Sequence, residues 1–95
     1  MYVIVWRFVV KDRAEFERHY GPEGTWAAFF RRDPGFVRTE LLRGEGESLT
    51  IDYWSSKEAF LAFRARNLAE YEAIDRRFEA LTEREERVGD FVTVP

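Results

Sequence analysis

The sequence predicts a small α+β domain of the ferredoxin-like βαββαβ order, a four-stranded antiparallel sheet with its helices on one face. Three observations predict it. Apolar, β-branched and aromatic runs open the chain, recur in pairs at its centre and close it; helical periodicity fills the two gaps between them. The first and third runs are apolar at both strand parities, with Val3, Val5, Val9, Leu49, Ile51 and Tyr53 at one and Ile4, Trp6, Phe8 and Trp54 at the other. One face meets the helices, so the other needs a partner sheet, and an identical chain supplies one, predicting a homodimer.

The first strand is Tyr2 to Val10, interrupted only by Arg7. Asp12, with Glu15 three residues on, caps a helix carrying Phe16 and Tyr20 on one stripe. Gly21-Pro22-Glu23-Gly24 breaks it. Thr25 is read as the cap of a second segment with Trp26, Phe29 and Phe30 inward, and Asp33-Pro34-Gly35 turns the chain. Phe36 to Arg43 is the second strand, Gly44 to Glu47 a hairpin loop, and Leu49 to Trp54 the third strand. Ser55 and Glu58 read as a capping box, followed by inward Ala59, Phe60 and Phe63. Asn67 marks a kink or a new start, after which Leu68, Tyr71, Ile74 or Asp75, Phe78 and Leu81 keep helical spacing. Val88 to Val94 is the fourth strand, with Gly89 a bulge.

At 95 residues the chain holds one domain, 1–95. Aromatics make up 17% of it, more than so small a core readily hides, so some line a pocket or an interface. The net charge of −3 and the absence of a clustered basic face exclude a nucleic-acid partner, and nothing supplies a polybasic membrane anchor. With no cysteine, thiolate catalysis, iron–sulfur clusters and cysteine zinc sites are excluded. No apolar run reaches the roughly 20 residues of a membrane span, and the first strand begins at Tyr2 with no leader before it, so cytoplasmic residence is expected.

Several residues invite a chemical reading. His19, the sole histidine, reaches a pocket as a base or stays a half-exposed helix residue; with no second ligand beside it, it makes no metal site. Asp52 and Trp54 share a face of the third strand. If that face meets the helices, Asp52 is a carboxylate in an apolar layer, either functional or ion-paired, with Arg38 on the adjacent strand, or Arg7, as partner. Trp6, Trp26 and Trp54 come from three elements that the fold brings near one another. With Tyr20, Phe30, Phe63 and Tyr71 in reach they wall a flat pocket for an apolar aromatic ligand, or else fill a core.

The run LTIDYWSSKEAF resembles the strand-to-helix signature of the antibiotic biosynthesis monooxygenase (ABM) superfamily: an acidic residue and Trp (Asp52, Trp54), a polar cap (Ser55), an acid (Glu58) and an Ala-aromatic pair (Ala59, Phe60). DPGFVRTELLR resembles the family's Pro-Gly-aromatic entry into strand two. The resemblance implies a homodimeric α+β barrel with a pocket in each subunit. Some members oxidise polyketide-type phenols with molecular oxygen and no cofactor or metal; others degrade haem. The haem-degrading branch carries an Asn on strand one, a Trp at the end of strand three, which Trp54 matches, and a His on the later helix. Here Trp6 stands in place of the Asn, the helix from Asn67 to Leu81 has no His, and Phe63 lies where many members carry one. Haem ligation is therefore not expected. The resemblance implies a cofactor-independent monooxygenase with His19 or Asp52 as base, Arg38 orienting an oxyanion, and Trp6, Trp26, Trp54, Phe63 and Tyr71 against an aromatic substrate. A non-catalytic binding or structural dimer of the same fold is the alternative.

Overall fold

Alternation of β-branched and aromatic residues makes Tyr2–Val10 the strand β1, and in the computed structural model, which describes residues 1–95, it lies inside the sheet. Helices α1 (Arg13–Tyr20) and α2 (Thr25–Phe30) follow. The hairpin β2 (Phe36–Arg43) and β3 (Glu47–Trp54) comes next, then α3 (Lys57–Arg66), α4 (Leu68–Phe78), a 3-10 turn over Glu79–Leu81, and β4 (Thr82–Val92). The sheet order is β2-β3-β1-β4 and every neighbouring pair is antiparallel. This is the predicted ferredoxin-like arrangement.

The helices cover one face of the sheet. Tyr2, Ile4 and Phe8 of β1, Phe36 of β2 and Trp54 of β3 join Phe16, Tyr20, Trp26, Phe29, Phe30, Phe60, Phe63, Ile74 and Phe78 in one core. Edge-to-face contacts run through it, for instance Phe29 on Phe63 at 4.9 Å and Trp54 on Phe60 at 5.3 Å between ring centroids. The other parity of the sheet carries Val3, Val5, Val9, Leu49, Ile51, Tyr53 and the half-exposed Leu42 and Phe91, and no helix of this chain covers it.

The ends of the elements show which local signals win. Asp12 caps α1, its carboxylate accepting from the Glu15 N–H at 3.2 Å. Thr25 does not cap α2. Gly24 is the cap, and only glycine fits there, because a Cβ would sit 2.5 Å from the His19 carbonyl oxygen. Ser56, not Ser55, caps α3, accepting from the Ala59 N–H at 3.1 Å. The Ser55 N–H is already committed to the Gly35 carbonyl at 2.7 Å, which holds Ser55 outside the helix, so the expected capping box does not form. At Asn67 the chain kinks as expected, the Asn67 side-chain amide donating to the Phe63 carbonyl at 2.9 Å. β3 starts two residues earlier than predicted, at Glu47.

β4 begins at Thr82, six residues before the predicted start. Residues 83–87 are all charged and carry no strand pattern, yet Arg84 to Arg87 pair with β1 along the sheet's edge, where one side of each residue meets water, and Glu83 is the unmatched residue of a second irregularity between the partners of Val9 and Val10. The bulge expected at Gly89 is present: Gly89 faces Val5 and Arg87 faces Trp6, leaving Val88 unmatched, with Gly89 at φ +155°.

Candidate functional site

The sheet and helices do not close completely. Between them lies a cavity of about 400 Å³, floored by Ile4, Trp6 and Phe8 of β1, Thr39 of β2, and Thr50 and Asp52 of β3. Tyr20, Trp26 and Phe30 of the first two helices and Phe60 and Tyr71 of the last two wall it. Its mouth opens along β4 between Glu85 and Arg87 on the strand and Leu61, Arg64 and Asp75 on α3 and α4, all exposed.

Asp52 is the polar centre of the floor. It sits between Ile4 and Thr39 in the sheet register, enclosed by protein except where it borders the cavity. The Thr39 hydroxyl donates to Asp52 Oδ1 at 2.6 Å, and no cation pairs with the carboxylate. Burial pushes its pKa up to about 6, and the Thr39 hydrogen bond offsets part of that rise. A carboxyl titrating there is available in both forms near neutrality, the property a general base needs. Burial likewise raises the Tyr71 hydroxyl, against the opposing charge of Arg64, whose guanidinium lies 5.0 Å from the Tyr71 ring centre. The Tyr20 phenol, buried in the wall, is pushed up to about 12.

The structure separates the sequence's site residues into two groups. Asp52, Trp6, Trp26 and Tyr71 meet in the cavity. Trp54 and Phe63 do not: both are packed out of contact with it, Trp54 fully buried among Phe30, Phe36, Phe60 and Phe63. His19 also stays outside. Its Nδ1 pairs with Thr25 Oγ1 at 2.8 Å, its Nε2 lies 3.3 Å from Glu15, and its ring stacks on Phe78 at 4.2 Å, so it ties the first two helices to the end of α4.

Arg38 is neither the partner of Asp52 nor a wall of the cavity. Phe36 faces Trp54 and Arg38 faces Tyr53, so Val37 is an extra residue that turns Arg38 onto the far face. There its guanidinium lies 3.9 Å from the Tyr53 ring centre and 3.9 Å from Glu40. Arg7 is engaged elsewhere too, 3.2 Å from Glu86 and 3.7 Å from Glu47. The same shift brings Thr39 opposite Asp52.

Sequence reasoning passed over Thr39, Thr50, Arg64, Asp75, Glu85 and Arg87. The two threonines leave a signal, because buried hydroxyls at core parity in strands mark a polar inner surface. The charged four are ordinary exposed residues until the mouth is assembled. No group of three or more His, Asp or Glu side chains is arranged to hold a metal ion.

A scan against protein-family models finds no match, and a search of curated proteins finds none. Solved structures do match. SnoaB from Streptomyces nogalater, a cofactor-independent oxygenase, is 34% identical over 99% of this chain and 93% of its own, with a TM-score of 0.75. A point mutant of the same enzyme gives 33% identity over 97% and 91%, with a TM-score of 0.71. MhuD from Mycobacterium tuberculosis, a heme-degrader with two hemes in its active site, shares the fold at 23% identity over 100% and 97%, with a TM-score of 0.60.

Proposed function

Since this chain belongs to the antibiotic biosynthesis monooxygenase superfamily, we propose that it is a cofactor-independent monooxygenase in which Asp52 takes a proton from an apolar, readily oxidised aromatic substrate. The observation that carries this reading is an unpaired carboxyl, raised by burial to about 6, enclosed on the floor of an aromatic-walled cavity of about 400 Å³. The similarity to a cofactor-independent oxygenase supports the reaction type.

The substrate's rings lie against Trp6, Trp26 and Tyr71, displacing water and holding the reacting carbon near Asp52. Asp52 removes a proton, and the carbanion that remains is oxidised by molecular oxygen. For a methylene flanked by aromatic rings, one oxygen atom enters as a carbonyl and the other leaves as water. All four electrons come from the substrate carbon, so the balance requires no external reductant. Thr39 keeps the carboxylate oriented. Arg64, at the cavity mouth, takes the oxyanion-stabilising role that the sequence assigns to Arg38.

The reading extends to assembly. Residues 1–95 act as one domain, and the apolar sheet face around Val5, Ile51 and Phe91 supports a face-to-face homodimer. No helix is long and apolar enough to cross a membrane, and the cysteine-free chain suits a cytoplasmic setting.

Oxygen uptake by metal-free protein with anthrones, hydroquinones and naphthols tests the activity. Uptake with wild type that falls at least about a hundredfold in Asp52→Asn is expected, the usual scale for loss of a general base. Uptake that survives in Asp52→Asn removes Asp52 from the mechanism. No uptake across the panel leaves a binding dimer as the better description.

A further inference from the structure

The mouth of the cavity is charged in a way that its apolar interior does not require. Three carboxylates border the cavity, Asp52 on the floor and Asp75 and Glu85 at the mouth, and none of them makes an ion pair. Elsewhere the surface is well paired. Glu17 holds Arg43 at 2.6 Å, Glu70 holds Arg32 at 2.7 Å and Asp33 holds Arg66 at 2.8 Å. Of the two guanidiniums at the mouth, Arg87 turns to Asp90 at 3.7 Å, leaving Arg64 alone against three acids.

The acidic end has a definite place. Arg87 lies opposite Trp6 in the sheet, and Glu85 lies further along, opposite Phe8. Burial raises both the Asp75 and the Glu85 carboxyls and the nearby charge of Glu79 raises both further, with Arg76 offsetting part of the rise at Asp75.

A second observation points to a ligand at this end. Tyr20 is 7% exposed and lines the cavity, and the Trp26 indole N–H is the protein group nearest to partnering its hydroxyl, without closing a hydrogen bond of good geometry. The Tyr20 hydroxyl is not sealed in either, being absent from the fully enclosed unpartnered atoms, which are the indole nitrogens of Trp26 and Trp54. Its hydroxyl therefore borders the cavity within the influence of Glu85 and Asp75. A buried hydroxyl without a partner is costly unless something polar meets it.

Resting on the reading of this cavity as a ligand site, we propose that its occupant is an aromatic ammonium, with its rings between Trp6, Trp26 and Tyr71 and its charge at Asp75 and Glu85 beside the Tyr20 hydroxyl. Aromatic faces and unpaired carboxylates both favour an organic cation, and the same carboxylates repel a substrate whose polar group is a carboxylate.

The test compares three ligands of matched size by calorimetric titration at pH 7.5 and low salt: naphthalen-2-ylmethylammonium, naphthalene-2-methanol and 2-naphthoate. The ammonium is expected to bind about tenfold more tightly than the alcohol, and the naphthoate more weakly than either. Both mouth acids are exposed, so the double variant Asp75→Asn, Glu85→Gln is expected to fold, with circular dichroism as the check. It should bring the ammonium to the affinity of the alcohol and leave the alcohol unchanged. A naphthoate or alcohol that binds as well as the ammonium, or a cation preference that survives in the double variant, overturns the inference while leaving the cavity a ligand site. Failure of all three to bind wild type overturns both.

Discussion

Replacing Asp52 by Asn removes a titrating group at nearly constant volume and leaves Thr39 an oxygen to donate to, so the variant isolates the cost of charge on the cavity floor. In the unfolded chain the carboxyl titrates at its ordinary 3.8; in the fold it titrates at about 6. The folded state therefore binds the proton more tightly than the unfolded state, and wild-type stability falls as pH rises through that window. The gap, at 1.36 kcal/mol per pH unit, amounts to about 3 kcal/mol, an upper figure because the carboxylate borders an open cavity. Urea unfolding of both proteins between pH 3.5 and 8 measures it. The variant's advantage over wild type should grow from about pH 4, level off above about pH 6, and reach at most about 3 kcal/mol. A flat difference would mean that the carboxylate is well solvated. A difference of opposite sign would mean that it is held by a cation, and either result would refute the account of an unpaired buried base.

Other consequences follow from the same geometry. Thr39→Val removes the hydrogen bond that restrains the Asp52 pKa, so Asp52 should titrate higher and the acid limb of the oxygen-uptake profile should move to higher pH, at a cost of about 1–3 kcal/mol in urea unfolding. Trp54→Ala should cost about 3–5 kcal/mol, the loss expected of a core aromatic, whereas a cavity-rim residue would show far less in the same assay. Val5→Asp places a charge on the uncovered sheet face; sedimentation at micromolar concentration should show wild type as a dimer and the variant as a monomer, and a monomeric wild type would remove the dimer reading.

How much of this was legible in the sequence depended on where each residue's neighbours come from. β1 and β2 were read to their ends because both faces of β1 and the turns flanking β2 leave local marks. The start of β4 was not, since Arg84 to Arg87 pair along the sheet's edge and these charged residues satisfy no burial pattern. Asp52 was found because a carboxylate between Ile51 and Tyr53, on the parity of Trp54, conflicts with its surroundings. Its supposed partner was wrong for a reason invisible to alternation: one extra residue at Val37 reverses which of Arg38 and Thr39 faces inward. The three tryptophans look equivalent in the sequence. Only packing shows that Trp6 and Trp26 border open space while Trp54 is surrounded by four phenylalanines.

The charged run and bulge of β4 bear on how the molecule behaves when crowded. An open sheet offers two ways to associate, through its face or by adding strands at its edges, and the second propagates without limit. Here the free edge of β4 carries Glu83, Arg84, Glu85, Glu86 and Arg87 and is interrupted at Val88–Gly89, while the opposite edge, β2, carries Arg38, Glu40 and Arg43. Strand addition is thus discouraged on both sides while the apolar face stays available. The chain can expose that much hydrophobic sheet without offering an edge on which a fibre could grow.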